Sequence, residues 1–269
     1  MTSPHWIRRG INGLQVLSPA LAAVAARELF LRPQRPTYRR DQEALLASST
    51  RDSVGDLAIY RWGRGAPRVL ALHGWQGHAG QWAPFVETLL RLGGEVVALD
   101  GPAHGASPGT HASPFSFTDA LMRVDRVLGP FDVGIGHSMG GAATALAVTR
   151  GLRVKRAVLL GAPARLDWVL KATAKQLGLS SSTTGLFLKE VERAVDVPIS
   201  HGDIGSATQN AGIPALIIHD QRDREIPFEH AKHFSNNWPR CELVPTEGLG
   251  HRRTMTDSSI HQRVFEFLR

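Results

Sequence analysis

The sequence predicts an α/β fold, in which a mostly parallel sheet carries helices on both faces and a small helical cap. From about residue 53, segments with strand character alternate with helical patterns, as in folds built from β-α-β units. Several strand segments are continuous apolar runs, which is typical of strands covered on both faces. The connection from Gly161 to Ala215 is far longer than one crossover helix needs, which indicates an inserted cap.

The individual elements follow from these patterns. The predicted strands are Leu57–Trp62, Val69–His73, Glu95–Asp100, Val133–Gly136, Ala157–Gly161, Ala215–Asp220 and Cys241–Pro245. The predicted helices between them are Trp82–Leu92, Phe115–Leu128, Met139–Arg150, Phe228–Asn237 and Ser258–Leu268. Two further helices, about Leu166–Leu177 and Gly185–Val195, are separated by a serine and threonine run at 180–184. We expect them to form the cap, at about 163–212, over the C-terminal edge of the sheet, where ligands bind in open α/β sheets.

Residues 1–52 are predicted to be an N-terminal helical segment packed on the α/β domain of residues 53–269. Ser18 and Pro19 have the character of an N-cap and a first helical residue, and apolar residues recur at helical spacing up to Leu31. A helix over 19–31 would be about 20 Å long, too short to span a bilayer. Contact with a membrane surface is less favoured than packing on the domain.

A signal peptide is the alternative interpretation of this segment. Residues 1–26 have a basic start, an apolar middle and small residues at a candidate cleavage site. The helical pattern continues past Ala26, however, which favours a retained helix. We therefore expect a cytoplasmic protein, and an exported one if residues 1–26 are removed.

Composition narrows the classes of function. With 42% apolar and 20% charged residues, the chain has the make-up of a globular enzyme. The net charge is +7, but residues 1–51 hold eight arginines and three acids, so +5 of it belongs to this segment. No basic stripe interleaved with aromatic residues is present, so nucleic acid is not an expected partner. A single cysteine excludes an intrachain disulfide. Nothing in the sequence specifies the oligomeric state.

The strongest local motif is Gly136–Gly140, with the sequence Gly-His-Ser-Met-Gly. It follows an apolar strand and begins an alanine-rich helix, which is the context of a nucleophile elbow. Such a tight turn holds Ser138 in a strained conformation with its hydroxyl exposed, and it requires glycine two residues to either side. Ser138 is therefore the predicted nucleophile.

A serine hydroxyl needs a base, and the base needs an acid. His251 is the predicted base, since it follows the last predicted strand and has glycine beside it. The candidate acids follow strand Ala215–Asp220. Asp223 is favoured because it lies beyond the strand end, while Asp220, as a turn-capping residue, and Glu225 remain alternatives.

An oxyanion hole requires two backbone N–H groups. Met139, directly after the predicted nucleophile, would supply one. The other is expected from the loop that begins at His73, where Trp75 is the predicted donor and Gly74 permits a close backbone approach. No metal-binding or nucleotide-binding motif is present in the sequence, so no metal and no cofactor are expected.

In their order along the chain, these motifs resemble those of the α/β-hydrolase superfamily. Over about residues 55–269 the sequence is similar to small bacterial α/β hydrolases with a His-Gly-Trp oxyanion motif, here at 73–75. The resemblance implies a Ser138, Asp223 and His251 triad and disfavours the members with an aspartate nucleophile. The loop after Asp100 would have a structural role.

The fold and the triad do not define the acyl group. The favoured hypothesis is a serine esterase that cleaves small-molecule carboxylic esters through an acyl-enzyme. A thioesterase or an amidase would use the same triad. A binding protein that retains the fold without catalysis is a third hypothesis, which the presence of all three triad residues disfavours.

Overall fold

The computed structural model describes residues 5–269, which form one eight-stranded sheet and its helices. The strands are β1 (Thr50–Val54), β2 (Leu57–Gly63), β3 (Arg68–Leu72), β4 (Glu95–Leu99), β5 (Val133–His137), β6 (Arg156–Leu160), β7 (Ala215–Asp220) and β8 (Cys241–Thr246). The helices are α1 (His5–Leu17), α2 (Pro19–Leu31), α3 (Arg40–Ala47), α4 (Ala83–Leu90), α5 (Pro114–Leu128), α6 (Met139–Thr149), α7 (Leu166–Leu177), α8 (Ser181–Val195), α9 (Ile204–Ala207), α10 (Glu229–Asn237), α11 (Gly250–Arg253) and α12 (Ser258–Leu268).

The sheet has the strand order β1-β2-β4-β3-β5-β6-β7-β8. The pairs β1–β2 and β2–β4 are antiparallel, and all the other pairs are parallel. Each of the seven predicted strands is present, with its ends within one residue of the predicted ones. The predicted fold class is therefore confirmed.

The chain divides into two compact units, of which the larger comprises Gln34–Ala164 and Ile204–Arg269. Within it, apolar clusters cover both faces of the sheet. Val69 and Ala71 of β3 pack with Trp82 and Phe85, while Leu70 packs in the other cluster with residues of α5 and α6. Successive side chains of a strand point to opposite faces, so this alternation explains why the predicted strands are continuous apolar runs.

The boundary predicted at residue 52 differs from the division in the structure, where residues 34–52 belong to the larger unit. Helix α3 buries Leu46 in the core beneath β2. Strand β1 pairs with β2 in register Thr50↔Arg61 and Val54↔Leu57. Neither element was predicted, because β1 buries only Val54 and its formation depends on pairing with its neighbour.

Among the described residues, the smaller unit combines residues 5–33 with Arg165–Asp203. Ala23 and Ala26 of α2 are fully buried in a cluster with Phe187 and Val191 of α8. Close packing of small residues thus joins the N-terminal segment to the two helices predicted as a cap. That this segment packs on the α/β domain, and that α7 and α8 cover the sheet edge, stay predictions.

Two local features of this unit bear on the sequence predictions. The Ser18 hydroxyl accepts a hydrogen bond from the Leu21 N–H at 3.3 Å, so the predicted N-cap is confirmed. The serine and threonine run at 180–184 was wrongly predicted to separate two helices. Instead, Ser180 is the N-cap of α8, since its hydroxyl accepts a hydrogen bond from the Thr183 N–H, and residues 181–184 already belong to that helix. Over residues 5–269, no helix combines the length and the apolar character that crossing a bilayer requires.

Candidate active site

Ser138 occupies a strained turn between β5 and α6. Its backbone angles are φ 52° and ψ −122°, a region that non-glycine residues rarely adopt. A Cβ atom on Gly136 would overlap with the Gly140 carbonyl, and one on Gly140 would overlap with the carbonyl oxygens of Leu72 and His73. The turn can therefore form only because both flanking positions are glycine, as the motif predicts.

His251 lies at the start of the sequence that follows β8, in the short helix α11. Its Nε2 atom is 2.9 Å from the Ser138 Oγ atom. Gly248 and Gly250 adopt φ values of 82° and 65°, a left-handed conformation that glycine tolerates. The chain can thus turn back after β8 and carry the imidazole to the serine.

Asp223 is the carboxylate that the structure brings to His251. The Oδ2 atom of Asp223 is 2.7 Å from the His251 Nδ1 atom. Its Oδ1 atom accepts the N–H groups of Glu225 and Ile226 at 2.8 and 3.0 Å. Both carboxylate oxygens are therefore occupied, one by the loop backbone and one by the imidazole.

The two alternative acids have other partners. Asp220 accepts hydrogen bonds from the Leu249 N–H at 2.8 Å and from the Thr246 hydroxyl at 3.0 Å. It thereby joins the end of β7 to the segment that leads to His251. Glu225 pairs with Arg252 at 3.1 Å. Neither carboxylate hydrogen-bonds to the His251 ring, and of the three candidates Asp223 alone does.

A second imidazole lies against the Asp223 carboxylate. The His219 Nε2 atom is 3.4 Å from the Asp223 Oδ2 atom and 2.8 Å from the Ile226 carbonyl oxygen. Burial raises the pKa of Asp223, but the hydrogen bonds from His219 and His251 outweigh it and hold that pKa well below its ordinary value. The carboxylate is therefore ionised and able to stabilise an imidazolium at His251.

The segments that carry the two predicted oxyanion donors both approach Ser138. Met139 is the first residue of α6, and the first N–H groups of a helix have no intrahelical acceptor. In the other segment, a Cβ atom on Gly74 would be 3.0 Å from the Ser138 Cβ atom. This close approach of the 74–77 loop requires glycine at position 74 and places Trp75 next in the chain.

Two histidines that were not predicted from the sequence, His137 and His219, lie beside His251 and Asp223. The His137 Nε2 atom donates to the His251 carbonyl oxygen at 3.0 Å. Burial, with a smaller contribution from His251, lowers the pKa of His137 to about 3, so its ring is neutral. The only sequence signal for either residue is its position, since His137 lies inside the Gly136–Gly140 motif and His219 lies near the end of β7, the strand that precedes Asp223.

Asp100, predicted to be structural, accepts hydrogen bonds from the N–H groups of Ala79 and Ala106 at 2.6 and 2.8 Å. The Tyr60 hydroxyl donates to the same carboxylate at 3.3 Å. Asp100 thus connects two loops at one edge of the sheet. No group of three or more His, Cys, Asp or Glu side chains within residues 5–269 is arranged to hold a metal ion.

The sequence of this chain is similar to one described protein family and to two named esterases. Residues 65–195 match the family described as serine aminopeptidase, S33. Over 235 residues the chain is 32% identical to the pimeloyl-[acyl-carrier protein] methyl ester esterase of Nitrosomonas europaea, covering 69% of this chain and 88% of that protein. It is 34% identical over 134 residues to Esterase Rv0045c of Mycobacterium tuberculosis, covering 48% of this chain but only 44% of that protein.

A solved structure agrees with the fold. The Pyrococcus furiosus esterase Pf2001 superposes with a TM-score of 0.65 at 23% identity, covering 88% of this chain and 97% of that chain. At this level of identity the similarity shows the fold alone. The shared fold and the similarity to the Nitrosomonas esterase together show that this chain is a hydrolase enzyme and belongs to the α/β-hydrolase superfamily of serine hydrolases.

Proposed function

We propose that the chain is a serine esterase in which Ser138 is the nucleophile, His251 the general base and Asp223 the acid that orients the base. The observation that carries this proposal is one unbroken hydrogen-bond chain. Ser138 Oγ lies 2.9 Å from His251 Nε2, and His251 Nδ1 lies 2.7 Å from Asp223 Oδ2. Both distances are within the range that general-base activation of a serine requires.

The reaction follows from this order of groups. Ser138 Oγ attacks the ester carbonyl carbon while its proton passes to His251 Nε2, and the Asp223 carboxylate stabilises the imidazolium. The N–H groups of Trp75 and Met139 would hold the oxyanion. His251 then protonates the departing alcohol, leaving an acyl-Ser138. Water, activated by His251, attacks that acyl group and releases the carboxylic acid and the free serine.

The relatives support an ester as the substrate. One is named a methyl ester esterase and another an esterase. We therefore propose a small-molecule carboxylic ester, with a thioester as a variant on the same triad. The second candidate is an amide, which is supported by the description of the matched family as serine aminopeptidase.

The proposal is tested with p-nitrophenyl esters of graded chain length, acyl-CoA thioesters and aminoacyl p-nitroanilides. We expect the largest kcat/KM for an ester and complete loss of turnover in Ser138→Ala, with an unchanged melting temperature. A fluorophosphonate probe should label the wild type at Ser138 alone. Turnover in Ser138→Ala at the wild-type rate would contradict the nucleophile, and a preference for anilides would favour the amidase.

A further inference from the structure

Two buried histidines connect the loop that carries Trp75 to the loop that follows β4. The first is His73, at the end of β3. Its Nδ1 atom donates to the Gly74 carbonyl oxygen at 2.7 Å, within its own loop. Its Nε2 atom accepts the N–H of Gly101 at 2.9 Å, from the other loop.

The second histidine repeats this pattern in the opposite direction. The His104 Nδ1 atom donates to the Pro102 carbonyl oxygen at 2.8 Å, within its own loop. Its Nε2 atom accepts the N–H of Gln76 at 3.0 Å. Each ring therefore donates to its own loop and accepts from the other. We call His73 and His104 the histidine brace.

The brace requires both rings to be neutral. A neutral imidazole has one donor and one acceptor nitrogen, whereas the protonated ring has no acceptor. Burial lowers the pKa of His73 well below its ordinary value and that of His104 to about 4. The ring centroids lie 5.1 Å apart, and both rings contact the Phe117 ring.

Charged and titratable groups also surround the brace. The Arg35 guanidinium donates to the carbonyl oxygens of Ala103 and Ser107 at 3.3 and 2.8 Å, and its charge contributes to lowering the pKa of His104. His78 and His137 act in the same direction on His73. The Asp100 carboxylate accepts the Ala106 N–H from the same loop as His104. The histidine brace therefore lies among further hydrogen bonds that hold the 100–107 loop in place.

Gln76 shows why the 74–77 loop needs support from outside. Its φ is 55°, a left-handed conformation that costs free energy in a residue other than glycine. Such a conformation persists only where its surroundings hold it. The hydrogen bond from the Gln76 N–H to His104 acts at this residue, which directly follows Trp75, the proposed oxyanion donor. An oxyanion donor must be held within a few tenths of an ångström to be effective.

We propose that His104 is a positioning residue, which fixes the Trp75 N–H in the oxyanion hole by accepting the Gln76 N–H. This inference rests on the proposed function for the role of Trp75. It assigns to the 100–107 loop a part in transition-state stabilisation, in addition to its contribution to packing at the sheet edge. In this role the His104 side chain does not contact the substrate.

The test compares two substitutions at this position. His104→Leu removes the acceptor, while His104→Gln can place an amide oxygen where Nε2 lies. We expect His104→Leu to lower kcat on a p-nitrophenyl ester about 10- to 100-fold, somewhat less than the loss of an oxyanion donor itself, with KM changed less than about threefold. His104→Gln should recover most of kcat. His111→Leu, at an exposed histidine later in the same connection, is the matched control and should retain wild-type kcat.

Affinity for a trifluoromethyl ketone, which forms a tetrahedral adduct with a serine, is the second readout. It should fall in parallel with kcat in His104→Leu, whereas a merely destabilised fold would lower the active fraction and leave the affinity unchanged. Equal kcat in His104→Leu and the wild type, or equal losses in His104→Leu and His104→Gln, would overturn the proposal.

An activity-independent measurement separates this proposal from the proposed function. Histidine ¹⁵N NMR of the wild type should show His73 and His104 with a protonated Nδ1 and a bare Nε2. The opposite tautomer at His104 would overturn the brace even if the enzyme is an active esterase. Failure of a fluorophosphonate to label Ser138 in the wild type would instead overturn the proposed function, whatever the tautomers are.

Discussion

The turn that carries Ser138 (residues 136–140, the serine turn) and the loop that carries Asp223 (residues 221–227, the acid loop) hold these side chains by different physical means. Ser138 is placed by its backbone, which has a positive φ. The turn also brings backbone atoms so close to Gly136 and Gly140 that neither position has room for a side chain. Asp223 is placed by hydrogen bonds, because its carboxylate accepts two backbone N–H groups of its own loop. The serine turn should therefore be sensitive to added atoms, and the acid loop to lost charge.

Among the variants that compare these two regions, the largest effect is expected from Asp223→Asn, which tests the acid loop. An amide cannot stabilise the imidazolium, and its NH₂ group favours the wrong tautomer of His251. We expect kcat on an ester to fall by about 10³- to 10⁴-fold with little change in KM. Steady-state kinetics measures both. A near-normal Asp223→Asn beside a crippled Asp220→Asn would show that Asp220 is the acid.

Gly140→Ala tests the serine turn. The added Cβ would overlap with the carbonyl oxygens of Leu72 and His73, which belong to backbone that cannot move aside as a side chain does. Overpacking of this kind costs about 1–3 kcal/mol, so we expect the melting temperature to fall by several degrees and ester turnover to drop with it.

Gly185→Ala is the matched control for that change. A Cβ at Gly185 in α8 would meet no atom within 4 Å. Alanine is also favoured over glycine in a helix by about 1 kcal/mol, so this variant should melt at or slightly above the wild-type temperature. An equal loss of stability in both variants would contradict the argument from close backbone contact.

Asp220→Asn is expected to affect stability more than catalysis. The Asp220 carboxylate accepts hydrogen bonds from the N–H groups of Leu249 and Arg222 and from the Thr246 hydroxyl. In the asparagine variant, the NH₂ group of the amide would face at least one of these donors and could not accept its hydrogen bond. We expect a loss of about 1–2 kcal/mol in the free energy of unfolding. Thermal or denaturant unfolding measures it, with kcat within about tenfold of the wild type.

The same residue gives a pH dependence with a defined sign. Burial raises the pKa of Asp220, but the hydrogen bonds it accepts outweigh this and lower the pKa below its ordinary value of 3.8. Its contribution to stability is therefore fully present above the unfolded-state pKa and is lost as the pH falls through the folded-state pKa. The melting temperatures of wild type and Asp220→Asn should converge on acidification. A constant difference from pH 6 to pH 3 would contradict this.

The smallest effect is expected from Glu225→Gln. Glu225 pairs with Arg252, whose side chain is 72% exposed, and exposed ion pairs contribute about 0–1 kcal/mol. We expect kcat/KM within about twofold of the wild type and a nearly unchanged melting temperature. A loss of activity comparable to that of Asp223→Asn would show that catalysis also requires the Glu225 carboxylate.

Strands that bury apolar side chains could be predicted from the sequence, whereas β1 and α3, which bury few residues, could not. Strand β7 is buried at all six residues, so its apolar run identifies it. Strand β1 exposes four of its five residues and exists because β2 supplies its hydrogen bonds. The helix α3 was missed in the same way, since only Gln42 and Leu46 are buried in it.

For the candidate site, the sequence by itself determined the residue types, their chain order and the glycines that the serine turn requires. Only the tertiary structure decided which of three nearby carboxylates lies beside His251, that His219 also contacts Asp223, and that His73 and His104 join two loops. The reason is one of scale. Motif spacing is defined in residues along the chain, whereas hydrogen bonds depend on a few tenths of an ångström between atoms of distant segments, which only the packed sheet and its loops specify.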